Sequence, residues 1–135
     1  MVAAGHSGTP LAKKLSLKPA MRVWCDGMPT SVRTDIEPLD LIEPGQPEAE
    51  LDGVLIFVAG RSDMESKLAM LRPLLAPSGF IWVSWPKIAS KRPTDITETT
   101  ICAVISAATN LVDNKICAVD AVRSGLKLVI RKLAR

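Results

Sequence analysis

Three side chains in this sequence have the chemistry and spacing to hold an anion: Arg61, Ser62 and Lys87. Arg61 and Ser62 follow Gly60 just after an apolar run at 54–59, at the predicted start of a helix, where backbone amides and the helix dipole favour negative charge. Lys87 follows a second apolar run, Phe80-Ile81-Trp82-Val83, with Ser84 and Trp85 in between, and Asp26 and Gly27 close an earlier run. If these runs are parallel strands of one open sheet, its carboxyl edge gathers Asp26, Gly27, Gly60, Arg61, Ser62, Ser84, Trp85 and Lys87. The chemistry on offer there is binding.

Residues for bond-breaking chemistry are scarce. The only histidine, His6, sits between Gly5 and Gly8 at a chain end, a poor place for a general base. Cys25 has no neighbouring base except Asp26, whose charge would raise a thiol pKa rather than lower it. Cys102 on a helix and Cys117 on a strand read as small core residues, and Met64 and Met70 as packing. Asp95, Asp113 and Asp120 would bind a metal only if the fold brought them together, and their spacing does not require it. No catalytic residue and no metal site is expected.

The elements that must position the edge follow from pattern. Residues 21–25 form a first strand that stops at Asp26-Gly27-Met28-Pro29. A helix carries Val32 and Ile36 until Pro38 ends it, and 39–43 is a short edge strand before a mobile loop, 44–50. Gly53-Val54-Leu55-Ile56-Phe57-Val58-Ala59 and Phe80-Ile81-Trp82-Val83 are continuous apolar runs, as strands covered on both faces must be. Between them Ser62 and Glu65 have capping-box spacing, and Met64, Leu68, Leu71 and Leu75 repeat at helical period. Pro73 should tighten the last turn, and Pro77-Ser78-Gly79 should turn the chain into the next strand. This is a βαβ unit with parallel strands. Asp95 and Glu98 read as a capping pair for a helix with Ile101, Val104, Ile105 and Ala108 on one face. Strands at 111–119, broken by Asp113-Asn114, and 126–132 are joined too tightly for a crossover helix and should be antiparallel.

The totals set bounds on class. A chain of 135 residues is read as one α/β domain over 9–135, with Thr9-Pro10 starting a short helix to Leu15, preceded by a flexible stretch at 1–8. The apolar fraction is 47%, but every run is interrupted well short of the about 18 residues that span a bilayer. With no basic stretch leading an apolar core at the N-terminus, a cytoplasmic location is expected. Three widely spaced cysteines fit neither a disulfide framework nor a zinc ribbon. The net charge of +3 is too small, and the aromatics too deep in apolar runs, for a nucleic-acid binder. The basic tail, with Lys127 and Arg131, reads as a solvated edge strand protected by its cations.

Ser7-Gly8-Thr9-Pro10-Leu11, Lys13-Lys14-Leu15, Trp82-Val83-Ser84-Trp85-Pro86-Lys87, Pro93-Thr94-Asp95, Val112-Asp113-Asn114-Lys115 and Ser124-Gly125-Leu126 together resemble a bacterial family of small proteins known only as a domain of unknown function. The order of elements is also similar to a trimmed class I methyltransferase. Leu75-Ala76-Pro77-Ser78-Gly79-Phe80 looks like the turn feeding that fold's fifth strand, and the terminal hairpin looks like its last two strands. That resemblance implies a three-layer, Rossmann-like sheet in the order 2-1-3-4-6-5. It also implies a ribose-binding acid at the end of the second strand, where Glu43 falls. The glycine-rich first turn of such a cofactor site is replaced by Cys25-Asp26-Gly27-Met28-Pro29, which argues against S-adenosylmethionine (SAM). The expectation is therefore a non-catalytic binding or interaction domain with a degenerate methyltransferase fold, taking a protein partner or a small anionic ligand. The alternative is an enzyme or sensor that binds an anion or nucleotide at the carboxyl edge. The sequence leaves oligomeric state open.

Overall fold

A computed structural model describes residues 15, 17, 18, 20–36, 41–43, 46, 49–87, 91, 94–108, 111–119 and 122–130. Among the described residues, five strands form one sheet: β1 (Val23–Asp26), β2 (Leu51–Phe57), β3 (Leu75–Pro86), β4 (Leu111–Ala118) and β5 (Arg123–Ile130). Their order is β1-β2-β3-β5-β4. Among the described residues the helices are α1 (Thr30–Ile36), α2 (Arg61–Leu71) and α3 (Glu98–Ala108). β1, β2 and β3 are parallel, and β5 runs antiparallel to both β3 and β4. Of the expected second strand, the described residues 41–43 form one parallel bridge, between Arg22 and Ile42. Counting that bridge, the order is the expected 2-1-3-4-6-5.

Two apolar layers sandwich the sheet. Met64, Leu68 and Leu71 of α2 and Ile101, Val104 and Ile105 of α3 pack on Val54, Ile56, Ile81, Val83, Trp85, Leu126, Leu128 and Ile130. Across the sheet, Val32 and Ile36 of α1, with Leu15 and Leu17, cover Val23, Leu55, Phe80 and Trp82. This alternation along β3 is why its apolar run is unbroken: even-numbered residues face α1 and odd-numbered ones face α2 and α3. Among the described residues, no helix is long and apolar enough to cross a membrane.

Four sequence expectations need correction. β3 begins at Leu75, not Phe80, yet its pairing jumps from Leu51↔Leu75 to Gly53↔Phe80, so Pro77-Ser78-Gly79 forms an excursion within the strand. The Ser62–Glu65 capping box does not form: Gly60 is the N-cap, two residues ahead of Ser62, and no cap side chain bonds to the helix. α3 is capped by Thr97, whose Oγ1 accepts the Thr100 amide at 3.2 Å, rather than by Asp95. The last strand is not an edge, because β5 lies between β3 and β4 and the outer strand is β4. Lys127 is consistent with an interior strand because its stem lies along the sheet and its ammonium sits 4.9 Å from the Phe80 ring centre. The helix expected at 10–15 and the stretches 1–8 and 131–135 lie outside the described residues, apart from Leu15.

Pro73 acts as expected. α2 ends at Leu71 and passes through a single 3₁₀ turn, Arg72–Leu74, before β3. The polar Asp113-Asn114 pair marks a shift of register on β4 between Asp113 and Lys115, which lets both halves of the strand keep their pairing with β5.

Candidate functional site

The carboxyl ends of β1, β2 and β3 carry all eight candidate residues, but on two sides of the sheet. Asp26 reaches Lys67 of α2, and Trp85 is buried in the α2–α3 layer. Ser84 points the other way and is 2% exposed. A Cβ at Gly125 would lie 3.5 Å from its Oγ and 3.2 Å from Trp82 on the α1 side. Gly27, at φ +72°, turns the chain sharply against the end of β2: a Cβ there would lie 3.2 Å from the Phe57 carbonyl oxygen. The sheet therefore separates Ser84 and Gly27 from Arg61, Ser62 and Trp85.

The exit of β2 is closed by a segment 34 residues further on. Asp95 Oδ1 accepts the Arg61 amide at 2.7 Å, the first free donor of α2. Thr94 Oγ1 donates to the Ala59 carbonyl at 2.7 Å, and the Asp95 amide donates to the same oxygen at 3.3 Å. Thr94 Oγ1 also accepts the Ile96 amide at 3.1 Å, and the Ile96 side chain is buried in the α2–α3 layer. Gly60 O already accepts the Met64 amide, and Val58 N donates to Ser84 O. The Arg61 amide and the Ala59 and Gly60 carbonyls are thus bonded within the chain, and a carboxylate of the chain's own sits at the helix N-terminus.

Side chains at the rim are paired in the same way. Arg61 Nε donates to Glu65 Oε1 at 2.8 Å, one helical turn along. The Lys67 ammonium bridges Asp26 and Asp63. Burial works against the charge on Lys67, but its hydrogen bonds to the two carboxylates outweigh that and raise its pKa. Arg33 of α1 donates from one nitrogen to both oxygens of Glu43 at 2.7 Å, so the acid at the second-strand position is engaged by a cation. Burial, and next the Glu43 carboxylate, push the Cys25 thiol up to about 12 although Arg33 pulls it down, so at neutral pH it is an unreactive thiol. The Lys87 amide bonds to the Val122 carbonyl at 2.8 Å, which fixes the end of β3 to the β4–β5 connection. Among the described residues, no cluster of three or more acids, cysteines or histidines is placed to hold a metal.

Sequence reasoning missed Asp95, Thr94, Lys67 and Arg33 as rim residues. Pro93-Thr94-Asp95 was visible as a motif, but its partner at Ala59-Gly60-Arg61 is set by the fold and has no local signature.

Solved structures share this arrangement. A putative type 11 methyltransferase from Sulfolobus solfataricus is 13% identical, with 90% of each chain covered and a TM-score of 0.60. A SAM-dependent methyltransferase from Aquifex aeolicus is also 13% identical, covering 89% of this chain and 87% of its own, with a TM-score of 0.63. The fold is methyltransferase-like. The structure of LepI in complex with SAM is similar as well, at 10% identity and a TM-score of 0.55, over 90% of this chain and 47% of that one. No family model and no curated protein matches the sequence. Identities this low describe a shared methyltransferase-like scaffold and transfer no activity.

Proposed function

We propose that the chain is a non-catalytic binding or interaction domain on a methyltransferase-like scaffold, with a carboxyl rim closed by its own residues. The carrying observation is the bond from the Arg61 amide to Asp95, because it puts an internal carboxylate where an anionic ligand would make its best contact. The Arg33–Glu43 pair supports the same reading: a ribose hydroxyl seeking Glu43 would have to displace a guanidinium that holds both carboxylate oxygens. The first turn supports it too, since Asp26-Gly27-Met28-Pro29 has one glycine and that glycine packs on the end of β2. The ion pairs at the rim are partly exposed and contribute little stability, roughly 0–1 kcal/mol each, so their consequence is occupancy.

The bacterial family of small proteins suggested by the sequence motifs fits this reading, and a protein partner is the favoured occupant of whatever surface the domain uses. A small anion recognised by Arg61, Ser62 and Lys87 is the competing reading, and it requires Asp95 to move. Isothermal titration of the full chain with SAM, S-adenosylhomocysteine and common nucleotides separates the two. The closed rim predicts no heat above dilution for any of them; saturable heat with micromolar affinity for one would refute it.

A further inference from the structure

We propose that the α2 side of β1 and of the short strand at 41–43 is a docking slot for one amphipathic helix of a partner protein. This deepens the reading of the chain as an interaction domain and rests on it. Met70 of α2 and Ile42 are 45% and 50% exposed, and Trp24 of β1 is only partly buried. All three belong to one face. Trp24 packs at the border of the α2–α3 layer. Ile42 pairs with Arg22, two residues before Trp24, so alternation along β1 puts it on the same side, while Leu41 packs on the opposite, α1 side. Met70 lies three residues after Lys67, whose ammonium reaches Asp26 of β1, so it stands on the flank of α2 that faces this strand.

Size and charge say what fits. Two neighbouring strands present a strip about 10 Å wide, the diameter of one helix. α2 and α3 already cover the rest of this face, and among the described residues no helix follows α2 on the β1 side. One more helix beside α2 would continue the layer and cover an apolar patch that is otherwise left to water. A second copy of the chain is a poorer match, because three side chains fall far short of the roughly 800 Å² that each partner buries in a stable dimer. The slot also has a polarity. At the carboxyl end of β1, Asp26 and Asp63 stand against the single ammonium of Lys67, whereas at the other end Arg22 and Asp52 offset one another. The surplus carboxylate favours a helix N-terminus beside it, so the occupant runs in the same sense as α2.

The test titrates the full chain with a synthetic amphipathic peptide of about 18 residues, leucine at i, i+3, i+4 and i+7 and lysine or glutamine elsewhere. Trp82 and Trp85 are buried, so a change in tryptophan emission reports on Trp24 and the slot. A saturable blue shift is expected, with a Kd about fivefold or more higher in Met70→Gln and in Ile42→Thr. Ile116→Thr, which trims another exposed apolar side chain, on β4, should leave the Kd unchanged. No blue shift, or an equal loss of affinity in Ile116→Thr, overturns the proposal, as does a dimer of the free chain that Ile42→Thr dissociates. None of these outcomes depends on the titrations with SAM and nucleotides, so the slot can fail while the closed rim stands.

Discussion

Trp82→Ala should destabilise the domain by about 3–5 kcal/mol, the largest loss expected from any single substitution in the chain. Trp82 is fully buried at the centre of β3, where its ring fills the layer between the sheet and α1. Its indole N–H donates to the Leu15 carbonyl at 2.8 Å, tying a segment 67 residues away to the sheet. The ring also dictates its neighbour: a Cβ at Gly125 would come within 3.2 Å of it and 2.7 Å of a Val119 methyl, so β5 carries glycine there. Trp82→Phe separates the two contributions. It keeps most of the apolar contact but leaves the Leu15 carbonyl without its donor, at a cost of about 1–3 kcal/mol. Urea unfolding of both variants measures the difference, and a loss below about 1 kcal/mol in Trp82→Ala would show that the ring is not central to that layer.

Gly79→Ala should cost about 1–3 kcal/mol, although it adds only one methyl group at the rim of the core. The new Cβ would lie 2.7 Å from the Leu51 carbonyl oxygen and 3.0 Å from that of Ala76. Both are backbone atoms, one on β2 and one in the excursion itself, so the excursion at 76–79 has to open to admit it. Gly60→Ser provides the contrast. Nothing lies within 4 Å of a Cβ at Gly60, its φ of −112° suits any residue, and a serine at this N-cap adds an acceptor for α2. It should be neutral or stabilising by roughly a few tenths of a kcal/mol. Equal melting temperatures for the two variants would contradict the close packing assigned to Gly79.

The sequence carried the scaffold further than the site. The runs at 53–59 and 80–83 identified adjacent parallel strands because a strand covered on both faces has no room for polar residues. The short connection after β4 likewise forced the antiparallel hairpin, and Pro73 marked the end of α2. Local pattern failed where a nearer partner looked sufficient. Ser62 and Glu65 had the spacing of a cap, yet the acceptor at the helix start is Asp95, because the chain after β3 returns across the exit of β2. Asp95 and Glu98 had the same spacing, yet Thr97 fills that role for α3. The cations of the last strand suggested an edge, a cue that fails for Lys127 because the charge escapes along the face of the sheet and leaves the backbone free to pair on both sides. At the rim, composition identified which residues arrive but could not assign them to a side, and Ser84 and Trp85, adjacent in sequence, face opposite layers.

The closed rim depends most directly on the hydrogen held between Arg61 and Asp95, and amide hydrogen exchange reads that bond by itself. The Arg61 amide should be protected in the native chain and lose its protection in Asp95→Ala while the Leu68 amide, deep in the same helix, keeps its own. An Arg61 amide that exchanges as fast as an open helix terminus in the native chain would mean that the rim is available to a ligand after all.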